Sequence, residues 1–210
     1  MAGRWIIAGS AVALSFLPAG YGMDPNRAMS QYVRDQWGRD QGFPAGPVYA
    51  ITQTSDGYLW IATGAGLVRF DGWTFRLIKD DSGAFTIASV LGLTPDRNGC
   101  LWVRLQDLTL VRFCNGVFER PSAAEGYTGI EAMGRTNREE LLISKSGAGA
   151  LAFRGGSFQV MAPAAKLPQS PVTALGQTGN GDVWIGTRDA GLFRFAGGQM
   201  LSVRKGLPDL

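Results

Sequence analysis

Along most of this chain, apolar and polar positions alternate with a period of two, in short runs broken by residues that accept a positive φ. The pattern is written four times, over Val48 to Phe75, Val90 to Phe118, Ile130 to Phe158 and Val172 to Met200. Trp60, Trp102, Leu142 and Trp184 mark one position of the repeat, in steps of 42, 40 and 42 residues. Phe70, Phe113, Phe153 and Phe195 mark a second, in steps of 43, 40 and 42. Strict alternation over four to eight residues predicts half-buried strands. Asp56-Gly57, Asn98-Gly99 and Asn180-Gly181 predict the first hairpin turn of their copies, and the glycines at 64, 66, 147, 149 and 191 predict the second. Asp71-Gly72, Asn115-Gly116, Gly155-Gly156 and Gly197-Gly198 predict the third. Three turns join four strands, so each copy is expected to be one four-stranded antiparallel sheet.

Self-similarity at about 40 to 50 residues marks propeller blades or solenoid units. The expected fold is therefore all-β, an incomplete β-propeller of about four blades, at about 46–80, 88–120, 128–162 and 170–205. The recurring tryptophans, Leu142 and the four phenylalanines are expected to pack between blades. The third copy departs from the others: Leu142 replaces Trp, and Arg138-Glu139 replace the Asp-Gly or Asn-Gly turn. Four blades sit at the lower limit of ring closure. Gly206-Leu207-Pro208-Asp209-Leu210 reads as the opening phrase of a fifth copy, matching Gly42-Phe43-Pro44 and Leu167-Pro168. The sequence is thus expected to be a fragment of a longer protein.

The first residues break the pattern. Arg4 precedes an apolar run from Trp5 to Leu17, and Gly20-Tyr21-Gly22 offers small residues at the spacing of a cleavage site, so 1–22 reads as a secretory signal peptide. Its 13 apolar residues rise roughly 20 Å as a helix, short of the ~30 Å hydrocarbon core. Residues 23–45 form a polar lead-in whose Tyr32, Val33 and Trp37 are expected to add an edge strand or cover the first blade.

Charge and composition narrow the functions available. The chain has 20 Lys and Arg against 17 Asp and Glu and no His, a formal charge of +3. The bases are interleaved with acids rather than clustered, which excludes a nucleic-acid footprint. Arg69, Arg112 and Arg194 recur at one repeat position, either as a ring of cations for an anion or as the solvated alternate of a buried strand residue. Without His there is no Ser-His-Asp or Cys-His pair and no imidazole metal ligand. No cofactor loop of the dinucleotide or Walker kind is present, so no cofactor is expected. Adjacent acids at Asp80-Asp81 and Glu139-Glu140 are better explained by turns than by paired-carboxylate catalysis. Cys100 and Cys114 align with Tyr58 and Asp71 of the first copy, which face each other across a hairpin, so they are candidates for a disulfide in an exported protein. Trp73 follows a turn in the first copy only and is a candidate either for stacking on a sugar ring or for shielding the blade edge.

The phrases DGYLWIAT, GLVRFDG and DVWIGT, with the lead-in WGRDQGFP at 37–44, resemble the regulator propeller repeat, which builds the periplasmic sensor region of hybrid two-component histidine kinases and some sensor diguanylate cyclases. The resemblance runs from about Gln31 to Leu210 and is most specific in the first and fourth copies. It implies an exported, non-catalytic module that binds an extracellular ligand, with carbohydrate the preferred class. It also implies further blades and an output domain as partners, and membrane attachment only through downstream segments. The alternatives are an exported lyase or glycosidase acting on polysaccharide, or an adhesion scaffold without a signalling partner.

Overall fold

In the computed structural model, which describes residues 28–31, 34–44, 46–85, 87–120 and 128–203, the alternating runs form four separate antiparallel sheets of four strands. The first blade is β1 (Val48–Gln53), β2 (Leu59–Thr63), β3 (Gly66–Phe70) and β4 (Phe75–Ile78). The second is β5 (Val90–Pro95), β6 (Leu101–Leu105), β7 (Leu110–Cys114) and β8 (Val117–Glu119). The third is β9 (Ile130–Arg135), β10 (Leu141–Lys145), β11 (Gly149–Arg154) and β12 (Ser157–Pro163), and the fourth β13 (Val172–Gln177), β14 (Val183–Thr187), β15 (Leu192–Ala196) and β16 (Gln199–Val203). Each sheet is a meander in chain order. Among the described residues the fold is a β-propeller of four blades, and the helical content is confined to 3₁₀ turns of three residues. The signal-peptide reading of 1–22 and the fifth-copy phrase from 206 lie outside the described residues.

The chain divides into two units at Gln36, and all four blades belong to the second. There the first strand of every blade is innermost: β1 packs on β5, β5 on β9 and β9 on β13, with no comparable contact between the first and fourth blades among the described residues. The innermost strands carry Ala50, Gly92, Ala132 and Ala174 at one position, and these small side chains let neighbouring sheets converge. The approach is tightest at Gly134 of β9, where any Cβ would collide with the Leu175 carbonyl oxygen of β13.

Between sheets, alternate residues of each blade face opposite neighbours. Trp60, Ala62 and Leu67 of the first blade bury against Leu101, Val103 and Phe113 of the second. Trp102 and Leu110 of the second bury against Ile143, Leu151 and Phe153 of the third. Leu142, Ala150 and Ala152 of the third bury against Val183, Ile185 and Phe195 of the fourth. Two of these seams hold an edge-on aromatic pair, Trp60 on Phe113 at 5.3 Å between ring centroids and Trp102 on Phe153 at 4.9 Å.

The first hairpin turn closes the same way in every blade. The N–H of Thr54 donates to the Tyr58 carbonyl (3.1 Å) and that of Gly57 to Thr54 (2.9 Å). The equivalent pairs are Asp96 to Cys100 and Gly99 to Asp96, Thr136 to Glu140 and Glu139 to Thr136, and Thr178 to Asp182 and Gly181 to Thr178. The divergent third copy therefore keeps the turn, and Glu139 takes the left-handed conformation that glycine takes in the others, at φ 60°. A side chain there costs about 1 kcal/mol or more. Glu139→Gly is accordingly expected to leave the protein as stable or raise stability by up to about 1 kcal/mol, the Arg135 ion pair it removes being exposed and weak. A chemical denaturation midpoint below that of the parent would contradict this account of the turn.

Candidate functional site

The two ends of the blades differ in how closely their turns repeat. One end carries the first and third turns of each blade, the first turns closed by the repeated hydrogen bonds just described. The other carries the second turns and the described parts of the links between blades, at 79–85 and 87–89, at 120 and 128–129, and at 164–171, whose sequences differ. Specificity on a rigid scaffold resides in such variable loops.

At this second end every innermost strand also contains a one-residue bulge. The register of β1 on β2 skips between Val48 and Ala50, of β5 on β6 between Val90 and Gly92, and of β13 on β14 between Val172 and Ala174. In the third blade Ile130 pairs with Lys145 and Ala132 with Ser144. The residues left without a strand partner are Tyr49, Leu91, Glu131 and Thr173, one per blade. A bulge re-aims a side chain out of the pleat, and these four differ in chemistry although their surroundings repeat.

Between the third and fourth blades this end opens into a cleft of about 430 Å³, lined by Glu131, Ser144, Lys145, the Ser146-Gly147 turn and the Pro168–Val172 connection. Glu131 Oε2 accepts the Val172 N–H at 3.3 Å, tying the bulge of one blade to the innermost strand of the next. The Ser144 hydroxyl, 1% exposed, makes no hydrogen bond in the protein. A buried polar atom without a partner calls for water or ligand beside it. Sequence reasoning passed over Glu131 and Ser144. The signal was present, because the two occupy positions where the other copies have Tyr, Leu or Thr and Ala, Arg or Gly.

The side chains singled out from sequence lie elsewhere. Trp73 is 90% exposed at the tip of the third turn of the first blade. Its N–H donates to Asp71 Oδ1 (2.9 Å), and the Thr74 N–H and hydroxyl donate to the same carboxylate at 2.7 Å each. These bonds, those of Thr74 foremost, hold the Asp71 pKa down to about 2. A depressed carboxyl stabilises the folded turn above its ordinary pKa and loses that effect only as pH falls through the folded value. Carbon-13 shifts are expected to show Asp71 still ionised at about pH 3.

Cys100 and Cys114 are joined by a disulfide, with Cα atoms 4.6 Å apart. They continue the register of Leu101 opposite Phe113, and the spacing is that of an antiparallel pair whose main chains do not bond each other. The recurring arginines do not form a common cation ring. Arg112 bonds Asp96 (2.6 Å) and Glu119 (3.1 Å), Arg194 lies 3.7 Å from Asp182, and Arg69 stacks over Tyr58 at 4.4 Å. Burial pulls the Arg112 pKa down, but Asp96 and Glu119 outweigh it and raise it overall. Three of the four adjacent acids are likewise engaged. Asp80 accepts from Ser82 and Phe85, and Glu139 pairs with Arg135. Burial pushes Glu140 up, but Arg154 at 2.6 Å and Thr136 hold its carboxyl below the usual range. Asp80 and Glu140, both held below the ordinary carboxylate range, are not poised to deliver a proton near neutral pH. Among the described residues no group of three or more metal-ligating side chains occurs, and no helix is long and apolar enough to cross a membrane.

Fold and bulge pattern define a β-propeller with one variable end. Residues 42–65 and 166–189 match the family model described as "Two component regulator propeller", so the first and fourth copies carry that repeat. No curated protein matches the chain. Among solved structures it is similar to the extracellular domains of two proteins of B. thetaiotaomicron assigned to hybrid two component systems. One is 20% identical over 80% of this chain and 26% of that one, with a TM-score of 0.66. The other is 18% identical over 79% and 23%, with a TM-score of 0.62. The chain thus spans about a quarter of the length of these domains. It is also similar to the virginiamycin B lyase of Staphylococcus aureus, at 15% identity over 76% of this chain and 56% of the lyase, with a TM-score of 0.57. At these identities the likeness is one of fold.

Proposed function

We propose that the chain is the ligand-sensing propeller of a two-component signal transduction protein, exported to the periplasm and acting with further blades and an output domain encoded beyond these residues. The observation that carries this reading is the regulator propeller repeat at 42–65 and 166–189, and the likeness in fold to extracellular sensor domains supports it. In such a protein, ligand binding shifts a balance between conformations that the output domain reads. The ligand is placed in the cleft between the third and fourth blades, where the bulged Glu131 and the Ser144 hydroxyl offer acceptor and donor. A carbohydrate suits that pairing. The chain is read as a binding module rather than a catalyst, because three of its four adjacent acids are held in ion pairs and turns.

The test is a thermal-shift and calorimetric screen of the exported protein against an oligosaccharide panel. A bound member is expected to raise the melting temperature. Glu131→Gln, which keeps an acceptor for the Val172 N–H, is expected to weaken that ligand about tenfold without changing the unliganded melting temperature. Recovery of the protein in the cytosol after fractionation, or steady cleavage of a panel member, would overturn the reading.

A further inference from the structure

One residue pair recurs at the same place in every blade, directly opposite each other on the third and fourth strands. In the second blade it is Arg112 and Glu119, which form an ion pair at 3.1 Å. In the third it is Ala152 and Gln159, and in the fourth Arg194 and Leu201. The first blade alone sets two cations against each other, Arg69 of β3 and Arg76 of β4. Like charges directly opposite on paired strands are destabilising. Two arginines thus stand where the second blade has a salt bridge.

Their position is fixed by the sheet. Arg69 is also paired with Trp60 of β2, and Trp60 packs edge-on against Phe113 of the second blade. The row of Trp60, Arg69 and Arg76 therefore faces the second blade, and the two arginines lie toward the outer rim of an internal seam. A cleft of about 290 Å³ opens there, lined by Arg69, Arg76, Lys79 and Asp81 of the first blade and its outgoing link and by Phe113 and Gly116 of the second. Tyr58 holds the Arg69 guanidinium over its ring at 4.4 Å, which places that cation before any ligand arrives. Among the described residues no acid lies within ion-pair distance of Arg69, Arg76 or Lys79. Three cations against Asp81 leave two positive charges over in the cleft.

We propose that this cleft is an anion-binding site, in which Arg69, Arg76 and Lys79 take a dianionic tetrahedral oxyanion, phosphate or sulfate, free or carried on a small molecule. Two guanidinium forks match the paired oxygens of such a group, and the lysine adds a point charge. The anion relieves the repulsion that the strand register imposes. The volume is at the lower end of the range for small-molecule sites, about 300 Å³ and upward, so a monosaccharide carrier fits beside the charged group. The site is separate from the cleft between the third and fourth blades, and Glu131→Gln leaves it unchanged.

Calorimetric titration of the purified protein tests it, with inorganic phosphate, inorganic sulfate, glucose 6-phosphate and glucose as probes and sodium chloride matching the ionic strength. The three oxyanions are expected to bind, and glucose and chloride are not. Arg76→Glu, which copies the Arg112 and Glu119 pair of the second blade, is expected to weaken oxyanion binding about tenfold or more. A circular dichroism melt of the unliganded variant shows it folded. Arg188→Glu, exposed on the fourth blade, makes the same change in net charge and is expected to bind as the parent does. Tighter binding of glucose 6-phosphate than of inorganic phosphate means that the sugar shares the cleft, whereas equal binding means that the site takes the ion alone. Either supports an oxyanion site. A parent that responds to no oxyanion beyond chloride, an Arg76→Glu protein that binds as the parent does, or an equal loss in Arg188→Glu would each overturn the proposal.

Discussion

Replacing Trp102 with alanine is expected to lower the stability of the protein by about 3–5 kcal/mol, the range for removing a large aromatic side chain from a packed core. The indole is 1% exposed and lies in the cluster that joins the second and third blades, edge-on to Phe153. Its removal leaves a cavity that rigid sheets on either side cannot close, since both backbones are held by their own strand pairing. Trp184 occupies the same repeat position but is only partly buried, so Trp184→Ala is expected to cost the monomer far less. Chemical denaturation of the two variants beside the parent measures the difference. Equal costs would mean that the seams are not what holds successive blades together.

Loss of the disulfide is the second large effect. Replacing both Cys100 and Cys114 with serine is expected to cost about 3 kcal/mol, the loop-entropy value for a bridge closing roughly 15 residues. The bridge ties the ends of β6 and β7, and the same hairpin supplies Trp102, Leu110 and Phe113 to the two seams of the second blade. Reduction should therefore loosen both neighbours as well as the blade itself. Melting the exported protein with and without reductant tests this, and an unchanged midpoint would remove the bridge from the account.

Most of the fold was legible because the features that build it act over short distances. Asp-Gly and Asn-Gly turns, alternation and a fixed period are local, and they locate four sheets. The turn at Arg138-Glu139 was the least legible, because its conformation is imposed by the hydrogen bonds of Thr136 rather than by the residue that adopts it. The bulges at Tyr49, Leu91, Glu131 and Thr173 were also invisible in the pattern, since an extra residue in a half-polar strand shifts the phase without altering composition. The candidate cleft depends on them, and so it emerged only from the backbone register. Glu131 also illustrates why the search for paired acids pointed elsewhere: its partner in the fold is a main-chain N–H 41 residues away.

The third blade's side of its join to the fourth is built from Leu142 and alanines at 132, 150, 152 and 162, which meet Val172, Val183, Ile185 and Phe195, whereas the other two joins carry indole rings. The small side chains let the two sheets approach closely, and β9 and β13 make the most extensive contact between innermost strands of neighbouring blades. The 430 Å³ cleft straddles that same line. Whatever lodges in it touches both sheets at once, and hydrogen exchange in β13 to β16 would register its arrival as slowed opening.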